Sequence, residues 1–491
     1  MRTHLLSVSI AALLTGAAHA NNIQVSNVLI TGQNATNNTY QISFDVSWEN
    51  SWRLSTGPSN WDAAWVFVKF SKVDFDVWSH AKLELTGAVA PSGSTVQVSA
   101  NSDAPTVGVG AFIYRSADGS GNVSWSNVQL RWNYGLDGIA DNDPVEVNVI
   151  AIEMVYVPQG AFTLGDGSGM IGSFEDAVSG QALQVVGENS AYTLGGGTAG
   201  SIGNNNASQG GNQSVLDDFN DAASQTLPAA YPIGFNAFYC MKYEMSQAQY
   251  ATFLSLITAT QASPRHYTLG PGPSYSIFLN GTRYDATYPT NTCGYITWAD
   301  LAAYLDWSGL RPMSETEFEK ACRGTRYAVP REFAWGNPST TNPSNLIIVS
   351  NTNTENSLYT TLPQHVGNPQ GSVYNRGGML AASSVNHTRE ETGGSYYGIM
   401  ELSGGMPTYC VTVGAATGRA YDGRHGDGAI QANGTANVTN WPTTTGIGTR
   451  GGSSSYFSTD DRRTSGRFLS NLQSTTRQEA YGGAHAVRTA P

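Results

Sequence analysis

The chain has 491 residues, and its 25 basic and 37 acidic residues give a formal net charge of −12 at pH 7. A protein this acidic is poorly suited to nucleic acid or to an anionic membrane surface, so neither is an expected partner. Hydrophobic residues make up 40% and aromatic residues 10% of the chain, which excludes intrinsic disorder. This length predicts two or three folded domains.

The first twenty residues have the pattern of a secretory signal. Arg2 precedes an apolar run over residues 5–14, and Ala18 and Ala20 form an A-x-A cleavage site. The run is too short to span a bilayer, and no later stretch approaches the required length. We therefore expect residues 1–20 to be removed and the protein to be secreted, acting outside the cell or at its surface without membrane insertion.

A β-rich domain is predicted over residues 21–150. Apolar and polar residues alternate over 40–48, 128–132 and 145–149, which is the period of a half-buried strand. Residues 65–68 form a continuous apolar run, as in a strand buried on both faces. Many short strands separated by polar turns, without a helical pattern, predict a β-sandwich.

Seven of the eleven tryptophans lie in this first domain, and they have two interpretations. Those within strand patterns favour packing in the core. Those beside Asn, Ser and Pro in predicted loops are open to stacking on sugar rings. The strand set is Trp48, Trp65 and Trp132, and the loop set is Trp52, Trp61 and Trp78.

Residues 151–491 form the second predicted domain, which follows the first without a linker. Three helices in it begin with a capping box, in which Ser or Thr is followed three residues later by Gln, Asp or Glu. The segment after Gly324 is rich in turns and has no pattern for a long helix. Few helices among short strands predict an α+β domain. The three boxes are Ser246 with Gln249, Thr297 with Asp300, and Ser314 with Glu317.

Three glutamates, Glu315, Glu317 and Glu319, alternate at the head of the third helix. They resemble a carboxylate cluster for acid–base catalysis. Helical spacing, however, directs Glu315 and Glu319 to one face and Glu317 to another. We therefore predict that these side chains are exposed to solvent and that they serve in capping.

Four cysteines are present, and no two have the C-x-x-C spacing of a redox or zinc motif. In an oxidising compartment they would form one or two disulfides or remain small buried thiols. Both alternatives stay open, as does the choice among three full pairings. The four are Cys240, Cys293, Cys322 and Cys410.

A series of motifs follows in order along the second domain. They are MVYVPQGAF at residues 154–162, KYEMS at 242–246, LRPMSETEFE at 310–319 and RGGS at 450–453. Together, over residues 154–488, they resemble the motifs of the formylglycine-generating enzyme, or sulfatase-modifying factor, family. The resemblance implies that family's irregular version of the C-type-lectin fold.

The resemblance also implies a chemistry from which this sequence departs. Enzymes of the family place copper-binding catalytic cysteines just after the Arg-Gly-Gly-Ser motif, because oxygen activation there uses soft thiolate ligands. Here no cysteine occurs between Val411 and Pro491, and Cys410 alone cannot supply two thiolates. We therefore expect no oxidase chemistry and assign no catalytic residue. Some family members bind calcium through a residue that corresponds to Asn345, which makes calcium a candidate cofactor.

Three classes of function stay open at this point. The first is an extracellular scaffold that binds a protein or a glycan, since some relatives vary the side chains of the final segment. The second is a surface protein that assembles with copies of itself as an oligomer or polymer. The third is an enzyme of the family that acts through an unrecognised site. The candidate ligand-binding residues of the scaffold are Ser454, Tyr456, Phe457, Thr459, Asp460, Arg463 and Trp441.

Overall fold

The computed structural model describes most of the chain. The described residues are 22–73, 77–188, 190–204, 217–268, 272, 274–339, 376–378, 388–452, 459–470, 477 and 483–491. The predicted signal and the candidate residues Asn345, Ser454, Tyr456 and Phe457 lie outside these ranges. Within them, no helix is both long enough and apolar enough to cross a membrane.

The described chain is mainly β, with a few short helices. The strands up to residue 157 are β1 (Gln24–Asn34), β2 (Thr39–Arg53), β3 (Asp62–Lys72), β4 (Ser79–His80), β5 (Ser94–Ala100), β6 (Gly108–Arg115), β7 (Gly119–Asn133) and β8 (Val145–Val157). The later strands are β9 (Phe162–Leu164), β10 (Phe174–Asp176), β11 (Leu183–Val185), β12 (Tyr192–Gly195), β13 (Ile202–Asn204), β14 (Ser224–Leu227), β15 (Phe238–Met241), β16 (Ile277–Asn280), β17 (Arg283–Ala286), β18 (Met313–Ser314), β19 (Thr408–Val411), β20 (Ile447–Arg450) and β21 (Val487–Thr489). The helices are α1 (Gln247–Ser255), α2 (Ala259–Ala262), α3 (Trp298–Trp307), α4 (Glu315–Arg323), α5 (Arg389–Thr392) and α6 (Ala416–Arg419).

Two sheets share a hydrophobic core in the first region. β1, β2 and β7 form a three-stranded antiparallel sheet. Ile42 and Phe44 of β2 are buried in one cluster with Val66 and Val68 of β3, which belongs to the second sheet. The alternation over residues 40–48 thus predicts β2 and its buried face correctly.

A seven-stranded sheet joins the first and second regions. Its strand order is β21-β15-β8-β3-β6-β5, with β4 paired to β3. β8 pairs with β3 from Val145 opposite Lys72 to Val155 opposite Asp62, and its last residues pair with β15. Because β8 runs through the predicted boundary between residues 150 and 151, both regions contribute to one continuous sheet, and no linker separates them.

The other face of the seven-stranded sheet packs against α3, and α1 packs against α3 in the same hydrophobic cluster. Phe67 of β3 meets the Trp307 ring edge-on, with 5.3 Å between the ring centroids. Lys69 of the same strand is buried, and its Nζ donates to the carbonyl oxygens of Trp307 and Gly428 at 2.7 Å each. Removal from water lowers the pKa of the Lys69 amine well below its usual value. Apolar and polar contacts therefore tie the two regions together.

The tryptophans divide largely as their sequence positions predict. The strand set, Trp48, Trp65 and Trp132, is buried in the core. Trp52 is in β2 and not in a loop, which corrects the prediction, and the Lys242 amine lies 4.7 Å from its ring centroid. Trp61 is covered by Tyr156 on one side, at 3.9 Å between centroids, and contacts the Arg53 guanidinium at 4.5 Å. These contacts leave Trp52 and Trp61 poorly placed as a platform for sugar rings.

The three predicted capping boxes are confirmed. α1, α3 and α4 each begin after the predicted Ser or Thr, whose side chain accepts the N–H three positions later, and the reciprocal bond is also present. α3 and α4 are almost wholly buried, so packing adds to the stability that the caps provide. Beyond Gly324 the described helices, α5 and α6, have four residues each, as the turn-rich sequence predicts.

All four cysteines are free and buried, which selects the buried-thiol alternative over disulfides. Cys240, Cys322 and Cys410 lie in one hydrophobic cluster with Phe318. Burial raises the pKa of each thiol above its usual value. The cysteines therefore act as small core residues in their protonated form.

The continuous sheet predicts that both regions unfold together. Thermal unfolding of residues 21–491 should give one calorimetric transition, because melting either region exposes the cores on both faces of β3. Tryptophan fluorescence, which reports mainly on the first region, and far-ultraviolet circular dichroism should share one midpoint. Two separated transitions would show that the regions are energetically independent.

Candidate functional site

Helix α4 lies in the interior of the second region and carries the three glutamates. All of its residues are buried, from Glu315 to Arg323. The predicted exposure of Glu315, Glu317 and Glu319 is therefore wrong, although the capping role of Glu317 is confirmed. Helical spacing separates the faces of α4, but other parts of the chain cover all of them.

Two arginines from the C-terminal part of the chain neutralise Glu315. Arg467 donates to both carboxylate oxygens, from Nε at 2.7 Å and from Nη2 at 3.0 Å, and Arg450 Nη1 donates at 3.1 Å. Burial by itself raises the pKa of Glu315, but the two guanidinium charges outweigh burial and hold that pKa below its usual value. The carboxylate is thus ionised in the core, where an ion is stable only with such partners.

The other two glutamates of α4 are paired in the same way. Arg450 Nη2 also donates to Glu319 at 2.9 Å, and Arg323 Nη1 donates to Glu319 at 3.1 Å. Glu317 accepts both terminal nitrogens of Arg311, at 2.8 and 2.6 Å, in a bidentate pair. The acidic charges of α4 are therefore balanced within the core. We call these seven residues the α4 ion-pair network: Glu315, Glu317, Glu319, Arg311, Arg323, Arg450 and Arg467.

The α4 ion-pair network fixes both ends of a short C-terminal segment. Arg450 ends β20, which pairs with β19 beside the start of α4. Gly451 and Gly452 follow with φ of +80° and +53°, and a Cβ at Gly451 would lie 2.5 Å from a backbone carbonyl oxygen, so this turn requires glycine. The chain is anchored again at Arg467. Residues 453–458, between the two anchors, lie outside the described residues.

The described part of the candidate segment begins at Thr459, the first residue of a 3₁₀ turn. Asp460 has a side chain that is 46% exposed, and it pairs with Arg463 Nε at 2.9 Å and with Arg331. The Arg463 guanidinium lies over the Phe333 ring, 4.5 Å from the ring centroid, and its side chain is 10% exposed. Asp460 thus presents an accessible carboxylate, whereas Arg463 supports the turn from the protein side.

Trp441, the remaining candidate, lies in a different environment. It is only 7% exposed and packs in the large cluster that includes Trp298. Its indole N–H donates to the Arg424 carbonyl oxygen at 2.9 Å. Over the described ranges, Trp441 makes no hydrogen bond or ring contact with Asp460 or Arg463. The structure therefore places Trp441 in the core and does not bring it together with the other two.

The cysteines that lie near this segment, Cys322 and Cys410, are both buried, and burial raises the pKa of the Cys322 thiol as well. Cys410 pairs in β19 with Gly448 of β20, two residues before Arg450. It is fully buried, and burial raises the pKa of its thiol well above the usual value. Among the described residues no group of three or more His, Cys, Asp or Glu side chains could hold a metal ion. The residues present do not fit a copper(I) centre, which needs accessible thiolates.

A buried acidic pair is a feature that the sequence patterns do not reveal. Glu401 has a φ of +57°, accepts the Gly378 N–H at 2.7 Å through Oε1, and has no described hydrogen-bond partner for the buried Oε2. Glu244 accepts from the Met406 N–H at 2.7 Å and from Thr292 Oγ1 at 2.8 Å. Burial raises the pKa of Glu401 to about 7, and burial together with the Glu401 charge raises that of Glu244. The only signal available in the sequence motifs was the place of Glu244 in KYEMS at residues 242–246.

One comparison with known proteins matches this region of the chain. The family described as the sulfatase-modifying factor enzyme 1-like domain matches residues 198–474. This range is more than half of the chain, and it lies within residues 154–488, where the motifs resemble that family. It includes α4 and every residue of the α4 ion-pair network. No curated protein matches the chain.

The α4 ion-pair network predicts a large loss of stability when one partner is removed. Arg450→Met should lower the free energy of unfolding by about 3–5 kcal/mol, because it leaves carboxylate charge buried with too few partners. The matched control is Arg331→Met, which removes an arginine from the half-exposed pair with Asp460 and should cost under about 1 kcal/mol. Urea unfolding of both variants measures the difference. An equal decrease in the free energy of unfolding of the two variants would show that the contribution of these ion pairs to stability does not depend on their burial.

The raised pKa of Glu401 predicts a pH-dependent gain in the variant Glu401→Gln. The native state keeps the Glu401 proton up to about pH 7, whereas the unfolded chain releases it near the ordinary pKa of a glutamate. The free energy of unfolding of the wild type therefore falls as the pH rises between these two pKa values. Glutamine keeps the acceptor for the Gly378 N–H and has no charge to bury. The variant should therefore gain more stability relative to wild type at pH 8 than at pH 5, measured by urea unfolding. A difference that does not change with pH would contradict this assignment.

Proposed function

Since the chain belongs to the sulfatase-modifying factor enzyme 1-like family, we propose that it is a secreted member without the family's oxidase chemistry and that it serves as an extracellular binding scaffold. The mature protein begins at Asn21 in this proposal. Its first region is a β-sandwich, and its second region presents the recognition surface. The ligand is an extracellular protein or a glycan.

The observation that carries the proposal is the anchoring of one segment by buried ion pairs. Arg450 and Arg467 hold the chain on either side of residues 453–463 through the carboxylate of Glu315. A segment with rigid ends tolerates changes in its side chains without loss of the fold. It also loses less conformational entropy on binding than a segment with free ends.

The sequence of this segment supports binding over oxidation. The resemblance places catalytic cysteines here, and this chain has Ser454, Tyr456 and Phe457 in the same stretch. Cys410, the nearest cysteine in sequence, and Cys322, which lies beside Thr464, are buried thiols with a raised pKa and are unsuited to hold copper(I).

The proposed recognition surface combines aromatic and polar groups. Tyr456 and Phe457 offer contact area with few rotatable bonds, and Asp460 offers an exposed carboxylate. Arg463 and Trp441 contribute indirectly, because both side chains are largely buried. We therefore assign direct contact with the ligand to residues 454–460 and support of the surface to Arg463.

The proposal predicts that binding is lost without loss of the fold in Tyr456→Ala. Residues 21–491 are first screened against a glycan array and an array of extracellular proteins. The variant should then bind the ligand found at least about tenfold more weakly, as expected when an aromatic anchor is removed. Its melting temperature should stay within a few degrees of wild type.

The matched control for this test is Tyr327→Ala. Tyr327 is 91% exposed and lies outside the segment, so its removal should leave both binding and melting temperature unchanged. A Tyr456→Ala variant that unfolds early and binds normally when folded would contradict the proposal, since the segment would then be structural.

A further inference from the structure

A polar cleft lies on the outer face of the three-stranded sheet, remote in sequence from the proposed recognition segment. It has a volume of about 480 Å³, within the range of small-molecule sites. Gln41 of β2 and Arg131 of β7 are directly opposed in the sheet and line the cleft, together with Glu84 from the chain that runs beside β7. Because Ile42 and Leu130 are buried on the other face, strand alternation directs Gln41 and Arg131 outward.

The cleft holds hydrogen-bonding groups that the protein does not use. The Arg131 guanidinium is half-buried and donates no hydrogen bond to any described residue. Gln41 donates through Nε2 to the Gly87 carbonyl oxygen at 3.2 Å, while its buried Oε1 has no described partner. Glu84 accepts from Asn133 Nδ2 at 2.5 Å through one oxygen only, so its other oxygen is open to a ligand. A buried acceptor without a partner destabilises the protein, and a ligand hydroxyl that donates to it would remove this cost.

Gly87 shapes the wall of the cleft next to Arg131. Its φ is +85°, and a Cβ there would lie 2.0 Å from the Arg131 Cζ atom. Only glycine therefore lets the guanidinium lie flat against the backbone at this point. The absence of a side chain at Gly87 leaves room for the guanidinium at this wall of the cleft.

We propose that this cleft binds a neutral sugar unit. A guanidinium donates, and a carboxylate and an amide oxygen accept, while each sugar hydroxyl does both. The Arg131 and Glu84 charges offset each other, which disfavours an isolated anion or cation in the same space. No apolar side chain lines the cleft, so an apolar ligand has nothing to bury against. This site is independent of the proposed function, because it lies in the first region.

The test is saturation-transfer difference NMR and calorimetry on residues 21–491. The probes are the methyl glycosides of glucose, galactose, mannose and N-acetylglucosamine, with sodium sulfate as the anion probe. At least one glycoside should bind, and Arg131→Gln and Glu84→Gln should each weaken it about tenfold or more, since hydrogen bonds to charged groups contribute about 1.5–3 kcal/mol. Arg283→Gln is the matched control, because Arg283 is an exposed strand arginine outside the cleft, and this variant should bind as wild type does.

The outcomes separate this proposal from others. Binding of no glycoside, or glycoside binding that both cleft variants retain, would overturn it. Sulfate binding that Glu84→Gln strengthens would also overturn it, in favour of an anion site. Tyr456→Ala should leave glycoside binding unchanged, so failure of the recognition segment and failure of the cleft are distinguishable.

Discussion

The buried charge balance around α4 is the interaction on which the second region depends. Three glutamates of one short helix are removed from water, and each needs a guanidinium because an unpaired buried carboxylate would cost several kcal/mol. The partners come from distant parts of the chain. Glu315 and Arg467 are 152 positions apart, and Glu319 and Arg450 are 131 positions apart. The fold must therefore bring β20, the turn after it and α4 together before these charges are satisfied. This requirement favours one arrangement of the region over alternatives of similar hydrophobic content.

The buried ion pairs of α4 also connect the seven-stranded sheet to the segment that we propose for ligand binding. β8 makes the first region part of the seven-stranded sheet, and β15 and β21 continue that sheet into the second region. Arg311, a member of the α4 ion-pair network, exchanges backbone hydrogen bonds with Val487 of β21. The α4 ion-pair network and the seven-stranded sheet are therefore directly connected, and each stabilises the other. On this account, side chains of the segment between Arg450 and Arg467 can differ from those of the family's enzymes, because the ion pairs of Arg450 and Arg467 with Glu315 do not depend on them.

Local patterns in the sequence predict the local structure well. The strand period over residues 40–48 and the three capping boxes depend only on neighbouring residues, and all are found as expected. The solvent exposure predicted for Glu315 and Glu319 is wrong. Helical spacing shows on which face of the helix a side chain lies, but it does not show what covers that face. Trp441 shows the same limit: its neighbours Asn440 and Pro442 suggest a loop, and the loop is present, yet the indole packs into the core. Burial of a charge or of a loop aromatic depends on partners that are remote in sequence.

The central claim is the proposal that this family member has no oxidase chemistry, and it depends on the state of its cysteine thiols. The most direct measurement is mass spectrometry of a sulfatase-type cysteine peptide after incubation with residues 21–491, with and without copper(I), beside an active family enzyme as positive control. We expect the peptide cysteine to stay unchanged under both conditions, because the cysteines beside the anchored segment, Cys322 and Cys410, are buried thiols whose pKa burial raises. Copper-dependent conversion of that cysteine to formylglycine would contradict the claim.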